Sequence, residues 1–274
     1  MLKNLKNILE LTNKYIVLAT PLILYSLITG IYLAISFNSG KIIIIFIALF
    51  LFFAMSVAFI AGWFKMIKDT VIGNYDENPN SLIKLFPEGV GEYFLPSAVA
   101  IVNLVVFFTI MLLLACVIGI KFIGDPGIPS HVLTKAMAST QSLKAFLMSL
   151  SAEQLAKLNL WNIHILLSTA LAYFLIIFYF PVLFFKTKNP FKAFFIGLKD
   201  LFCRKFFITL GVFLIIFISY FIISIMSAIS SGNLILHFCA TLLNFYYVVV
   251  VAVGVFYYYY HNFVEIGKNI DTQV

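Results

Sequence analysis

Six runs of almost purely apolar residues alternate with short polar connectors along the chain, at about residues 15–37, 42–64, 94–120, 159–185, 206–228 and 234–260. None of them holds an Asp, Glu, Lys or Arg. Roughly 20 apolar residues in helical conformation cross a bilayer, so the pattern predicts six transmembrane helices in an all-α polytopic bundle. It reads as a single integral membrane domain over residues 1–274. The first run is too long for the hydrophobic region of a cleaved signal peptide, and no small-x-small cleavage site follows it.

The polar connectors carry most of the individuality. Ser81 to Phe94 aligns without gaps on Asn189 to Phe202. Lys84 falls on Lys192, Phe86 on Phe194, Gly89 on Gly197 and Phe94 on Phe202, with Glu92 on Asp200. Each segment opens on a residue suited to an N-cap, and Pro190 occupies the favoured first helical position. Both are predicted to be short amphipathic helices at the inner face, apolar side in the headgroup zone and lysines in water. The match points to two related helical hairpins, spans two–three and four–five. The long connector, about residues 121–158, holds the turn residues Gly124-Asp-Pro-Gly-Ile-Pro129, then Val132, Ala136, Leu143, Phe146, Leu147 and Leu150 at helical spacing. Ser151-Ala-Glu-Gln154 then has the form of a capping box. Together these predict an outer helical cap.

Composition confirms the medium. The chain is 63% hydrophobic and 11% charged, against about 25% charged in soluble domains. A soluble fold could not hide that much apolar surface. The net charge of +7 would ordinarily raise nucleic acid as a partner, but the basic residues sit in connectors rather than on one patch. They set topology instead. Thirteen lie in the N-terminal tail, the two matched connectors and the C-terminal tail, against five on the other side. Basic residues are retained in the cytoplasm, so both termini are expected there. The near-exclusive use of Lys over Arg (Arg204 alone), with abundant Ile, Phe and Asn, suggests an AT-rich prokaryote and hence its cell membrane. Trp63, Trp161 and the run Tyr257 to Tyr260 are expected to form interfacial belts.

Candidate chemistry is sparse. His164 and His237 near outer span ends, with His131 in the outer connector, are the only candidate metal set, and interfacial histidines bonded to nearby groups account for them as well. Asn103 and Asn244 lie near mid-span, where an amide needs a partner across a helix interface. Cys116, Cys203 and Cys239 form no Cys-x-x-Cys motif. No metalloprotease, serine-hydrolase or phosphate-loop signature occurs, and no cofactor is implied. With no carboxylate in the spans, proton-coupled transport is disfavoured.

Gly62-Trp-Phe-Lys-Met-Ile-Lys68, the Gly73-Asn turn and Phe86-Pro-Glu-Gly-Val-Gly-Glu-Tyr-Phe-Leu-Pro96 resemble a group of prokaryotic six-span membrane domains. That group is similar to the membrane domain fused to some glycerophosphodiester phosphodiesterases. The resemblance spans about residues 15–264, is structural, and carries over no catalytic residue. It implies an accessory or lipid-associated module. The residues themselves favour a non-enzymatic, transport- or export-associated component. Its partners would be membrane lipids and a cytoplasmic or membrane protein docked on Lys84, Phe86, Lys192, Phe194, Lys199 and Arg204. A lipid-handling module and an intramembrane enzyme using the outer histidines are the alternatives.

Overall fold

The structure is a computed structural model that describes residues 2–38, 42–73, 79–125, 127–129, 132, 134, 136, 139–203, 205–230 and 232–265. The described residues are 90% helical, with no strand among them. Helix α1 (Leu2–Lys14) leads through a 3-10 turn (Ile16–Leu18) into α2 (Ala19–Asn38), α3 (Ile42–Ile72) and α4 (Pro79–Phe122). Then come α5 (Thr140–Ser149), α6 (Ala152–Leu175), α7 (Tyr179–Phe185), α8 (Pro190–Leu201), α9 (Phe206–Ser230) and α10 (Leu234–Tyr259), which closes in a π turn (Tyr260–Val264). Among the described residues, six stretches are long and apolar enough to cross a membrane: Ile16–Ala34, Ile43–Ile72, Ser81–Phe122, Ala152–Phe185, Phe206–Ser230 and Leu234–Val264. The protein is a six-span, all-α polytopic membrane bundle, as the hydrophobic pattern predicts.

Two spans differ from their expected form. The connector 81–94 is not a separate helix but the first part of α4, and Ser81 lies inside that helix rather than capping it. At 1.5 Å per residue, its 44 residues reach about 66 Å, twice the hydrocarbon thickness. The fourth span is broken: α6 ends at Leu175, a turn follows, and α7 begins at Tyr179. Pro181 supplies the reason, because it has no N–H to give Ile177 and its ring crowds that carbonyl. Unwound backbone at such depth must be covered by protein. Here Gly197 of α8 lies against the Phe178–Tyr179 peptide, and both residues are buried.

Packing divides the chain into two compact units, residues 1–103 with 175–274, and residues 104–174. In the larger unit, rings fill the space between helices. Phe64 of α3 sits 4.9 Å from Phe180, 5.8 Å from Phe184 and 5.2 Å from Phe256, measured between ring centroids. Lipid tails are as apolar as these side chains, so close packing and interhelical hydrogen bonds hold the helices together more than the hydrophobic effect does. Tyr25 and Ser56 join α2 to α3 at 2.7 Å, Ser219 and Tyr247 join α9 to α10 at 2.9 Å, and Thr209 and Tyr258 repeat that tie at 3.0 Å. Each such bond is worth about 0.6 kcal/mol, up to about 1.7.

Several aromatic residues expected in belts are core residues instead. Trp63 is 4% exposed, and its Nε1 donates to the Leu18 carbonyl at 2.8 Å. In the tyrosine run, Tyr259 is fully buried, Tyr258 bonds Thr209, and Tyr257 accepts from Asn7 Nδ2 at 3.1 Å. That last contact belongs to α1, an N-terminal segment the apolar runs leave as a tail. It packs along α10, with Ile8 against Gly254 and Asn13 accepting from the Tyr246 hydroxyl at 2.6 Å.

The smaller unit contains the second half of α4, α5 and most of α6. Its start signals read as predicted. Ser151 and Gln154 exchange backbone-to-side-chain bonds at 3.1 and 3.2 Å, which is a capping box. Gly124 and Gly127 adopt φ of 82° and 68°, and the Gly127 N–H donates to the Asp125 carboxylate at 2.8 Å. The Trp161 ring occupies the space a Cβ on Gly119 would need and donates to the Gly124 carbonyl at 3.0 Å.

Candidate functional site

Chemistry-bearing side chains of the larger unit collect at the end where α3, α7 and α10 finish and α4, α8 and α9 begin. The two matched connectors build it. Leu82, Gly89 and Tyr93 of α4 are buried, as are their counterparts Pro190, Gly197 and Leu201 of α8. Ile83, Lys84, Pro87, Gly91 and Phe94 are exposed, as are Phe191, Lys192, Phe195, Lys199 and Phe202. One helical face is thus turned inward in both, in the register that the sequence alignment gives. Asn189 caps α8 by accepting from Lys192 N at 3.1 Å, with Pro190 next to it.

The two connectors share an arrangement of acid, lysine and tyrosine, and the first adds a close approach at its glycine. The glycine lets the helix come close to the preceding arm: a Cβ on Gly89 would stand 2.5 Å from Lys65 Cβ and 2.8 Å from the Ala61 carbonyl. One turn later an acid meets a lysine of that arm. Glu92 takes Lys65 at 3.6 Å and Lys188 at 2.9 Å, while Asp200 takes Lys186 at 2.8 Å. A buried tyrosine completes both centres. Tyr93 stacks on Phe184 at 4.2 Å under the ammonium groups of Lys68 and Lys188, at 5.5 and 5.3 Å from its ring. Tyr259 donates to Asp200 beneath Lys186, 5.2 Å from its ring. Cations over aromatic faces are held by the ring quadrupole.

The two centres share one strap. Lys186 and Lys188, at the close of α7, reach Asp200 of the second connector and Glu92 of the first. Beneath them Asp69, whose side chain is only 4% exposed, is neutralised by Lys65 at 2.9 Å. Lys205 donates to Asn262 at 2.7 Å and ties the start of α9 to the π turn. The lysines of the strap were legible as connector charge. Their partners were not, because Asp200 lies 14 residues from Lys186 and Glu92 comes from the other connector, so neither pairing follows from helical spacing.

The expected site residues separate into groups. Lys84, Lys192 and Lys199 are exposed. Phe86 is half-buried with its ring over Gly62, and Phe194 is half-buried beside Tyr179, so these two anchor the connectors to the bundle. The outward aromatic surface belongs to Phe191, Phe195 and Phe202. Asn103 finds its partner across a helix interface, donating to the Tyr179 hydroxyl at 3.3 Å. Asn244 is half-buried on α10. His164 bonds the Ala115 carbonyl at 2.8 Å and meets Trp161 edge-on, while His237 is exposed. His131 and Arg204 lie outside the described residues. Among the described residues no three His, Cys, Asp or Glu converge as a metal site. The chain matches no protein family, no curated protein and no solved structure.

Proposed function

We propose that the protein is a non-enzymatic membrane component, associated with transport or export, that offers its paired connectors as a braced docking face to a partner protein. In this reading it lies in the cell membrane of a prokaryote, with both termini and both connectors cytoplasmic. One observation carries the proposal: the Lys186–Lys188 strap binds the acids of both connectors. A surface helix that only rests on lipid has no need of two charge centres fixing its position. Held this way, α8 and the start of α4 present Lys84, Lys192, Lys199, Phe191 and Phe195 in fixed relation, which lowers the ordering entropy a partner must overcome.

A photo-reactive side chain placed at Phe195 or Lys199 in living cells tests this directly. The expected result is one discrete protein adduct at both positions, absent when the probe sits at Ile215 on the exposed side of α9. The adduct should weaken in Lys186→Met, which removes the lysine that holds Asp200 of the connector carrying the probe. Lipid adducts alone, or the same adduct from Ile215, would sink the docking reading.

A further inference from the structure

Helices α2, α3 and α4 do not close on one another completely in the larger unit. They leave a groove of about 410 Å³. Its walls are contiguous helical stripes: Thr20 to Ile28 from α2, Met55, Ala58, Phe59 and Met66 from α3, and Ile83, Phe86 and Pro87 from α4. Gly62 shapes one end, since its missing Cβ lets the Phe86 ring lie against α3. The only polar side chains in the lining are Thr20 and Tyr25, and the Tyr25 hydroxyl is already engaged with Ser56 at 2.7 Å. A ligand here gains by apolar contact and finds almost no hydrogen-bonding group to satisfy.

We infer that this groove is a binding site for one acyl chain of a membrane phospholipid. The inference goes beyond the docking face and stands or falls separately from it. The α2 and α3 walls belong to the first two candidate spans and the Ile83–Pro87 end to the connector, so in the proposed topology the groove runs from the headgroup zone into hydrocarbon, the path of an acyl chain. The volume falls at the low end of small-molecule sites, about 300–1,000 Å³, and suits a flexible chain. A single turn of a partner helix, about 10 Å across and 5.4 Å high, would by itself take up roughly 400 Å³, so the groove has no room for a helix of any length. Met55, half-buried on the α3 wall, suits an irregular hydrocarbon occupant, because its unbranched thioether adapts to the occupant's shape.

Trp63 gives the site a reporter. It is buried, stacks on Phe59 at 5.2 Å, and Phe59 in turn stacks on Tyr25 at 4.4 Å, both of them groove residues. With Trp161→Phe as background, the full chain is reconstituted in phosphatidylglycerol vesicles whose acyl chains carry bromine. Trp63 fluorescence should be quenched, and Leu24→Phe and Ala58→Phe should each reduce that quenching at least about twofold by filling the groove. Leu24 is more than half exposed, so enlarging it does not overpack the core even if the Ala58 variant fails to fold. Native mass spectrometry should find one phospholipid retained on the wild-type chain and lost from Leu24→Phe. Equal quenching in all three proteins would mean that surrounding bulk lipid alone reaches Trp63, and the site would be refuted. Release of a free fatty acid or a peptide in place of the phospholipid would also overturn the assignment.

Discussion

Asp69 and Glu153 are both acids with a lysine 2.9 Å away at helical i,i+4 spacing, yet they stand in different surroundings. Glu153 is 78% exposed, so water screens its pair with Lys157, which contributes about 0–1 kcal/mol. The Asp69 carboxylate is almost enclosed, and removing its partner would leave a buried charge uncompensated. Lys65→Met is therefore expected to destabilise the protein by about 3–5 kcal/mol, while Lys157→Met stays within about 1 kcal/mol. Unfolding in detergent with increasing denaturant measures both. Equal effects would show that Asp69 finds another counter-charge. Tyr93 and Tyr259 belong to the same scale: each is a large ring whose buried body sets the height of a lysine and whose hydroxyl ends on an acceptor, Phe184 O at 3.4 Å and the Asp200 carboxylate respectively.

At the scale of elements, the two connectors differ in how tightly they seat. Gly89 meets backbone as well as side chain at under 3 Å from an added Cβ, whereas the nearest atoms to one on Gly197 are 3.6 Å away. Neither glycine has a positive φ, so space alone decides. Gly89→Ala forces α4 away from α3 and should cost about 1–3 kcal/mol. Gly197→Ala fits an ordinary contact distance and should leave the melting temperature in detergent nearly unchanged. A tolerated Gly89→Ala would show that α3 and α4 are not pressed together there. The broken span belongs here too. Pro181 stands near the end of its apolar run, and only the position of the break, covered by Gly197, shows that it divides one span into α6 and α7.

For the whole molecule, the proposed orientation makes a chemical prediction. Cys203 is exposed in the turn between α8 and α9, beside the connectors. With Cys116 and Cys239 replaced by serine, a membrane-impermeant maleimide should fail to label Cys203 in intact cells and should label it in inverted vesicles. Labelling from outside would reverse the topology that the lysine distribution predicts and place the docking face away from the cytoplasm.

The number of spans and the register of the two connectors were readable from the chain itself. Both follow from local regularities: the length of an apolar run against the bilayer, and the repeat of glycine, acid and aromatic positions along a helix. The capping box at Ser151 and the turn at Gly124 were legible for the same reason. The long-range partners of the connector charges were not. Lys186 and Lys188 look like topological charge until the fold brings Asp200 and Glu92 to them, and Tyr259 looks like a belt residue until α7 and α8 cover it. The groove left by α2, α3 and α4 has no sequence signature, because a gap arises from how three helices lie against one another. Periodicity along one chain determines which faces are apolar. Which faces meet, and where they fail to meet, is decided by side-chain volume in three dimensions.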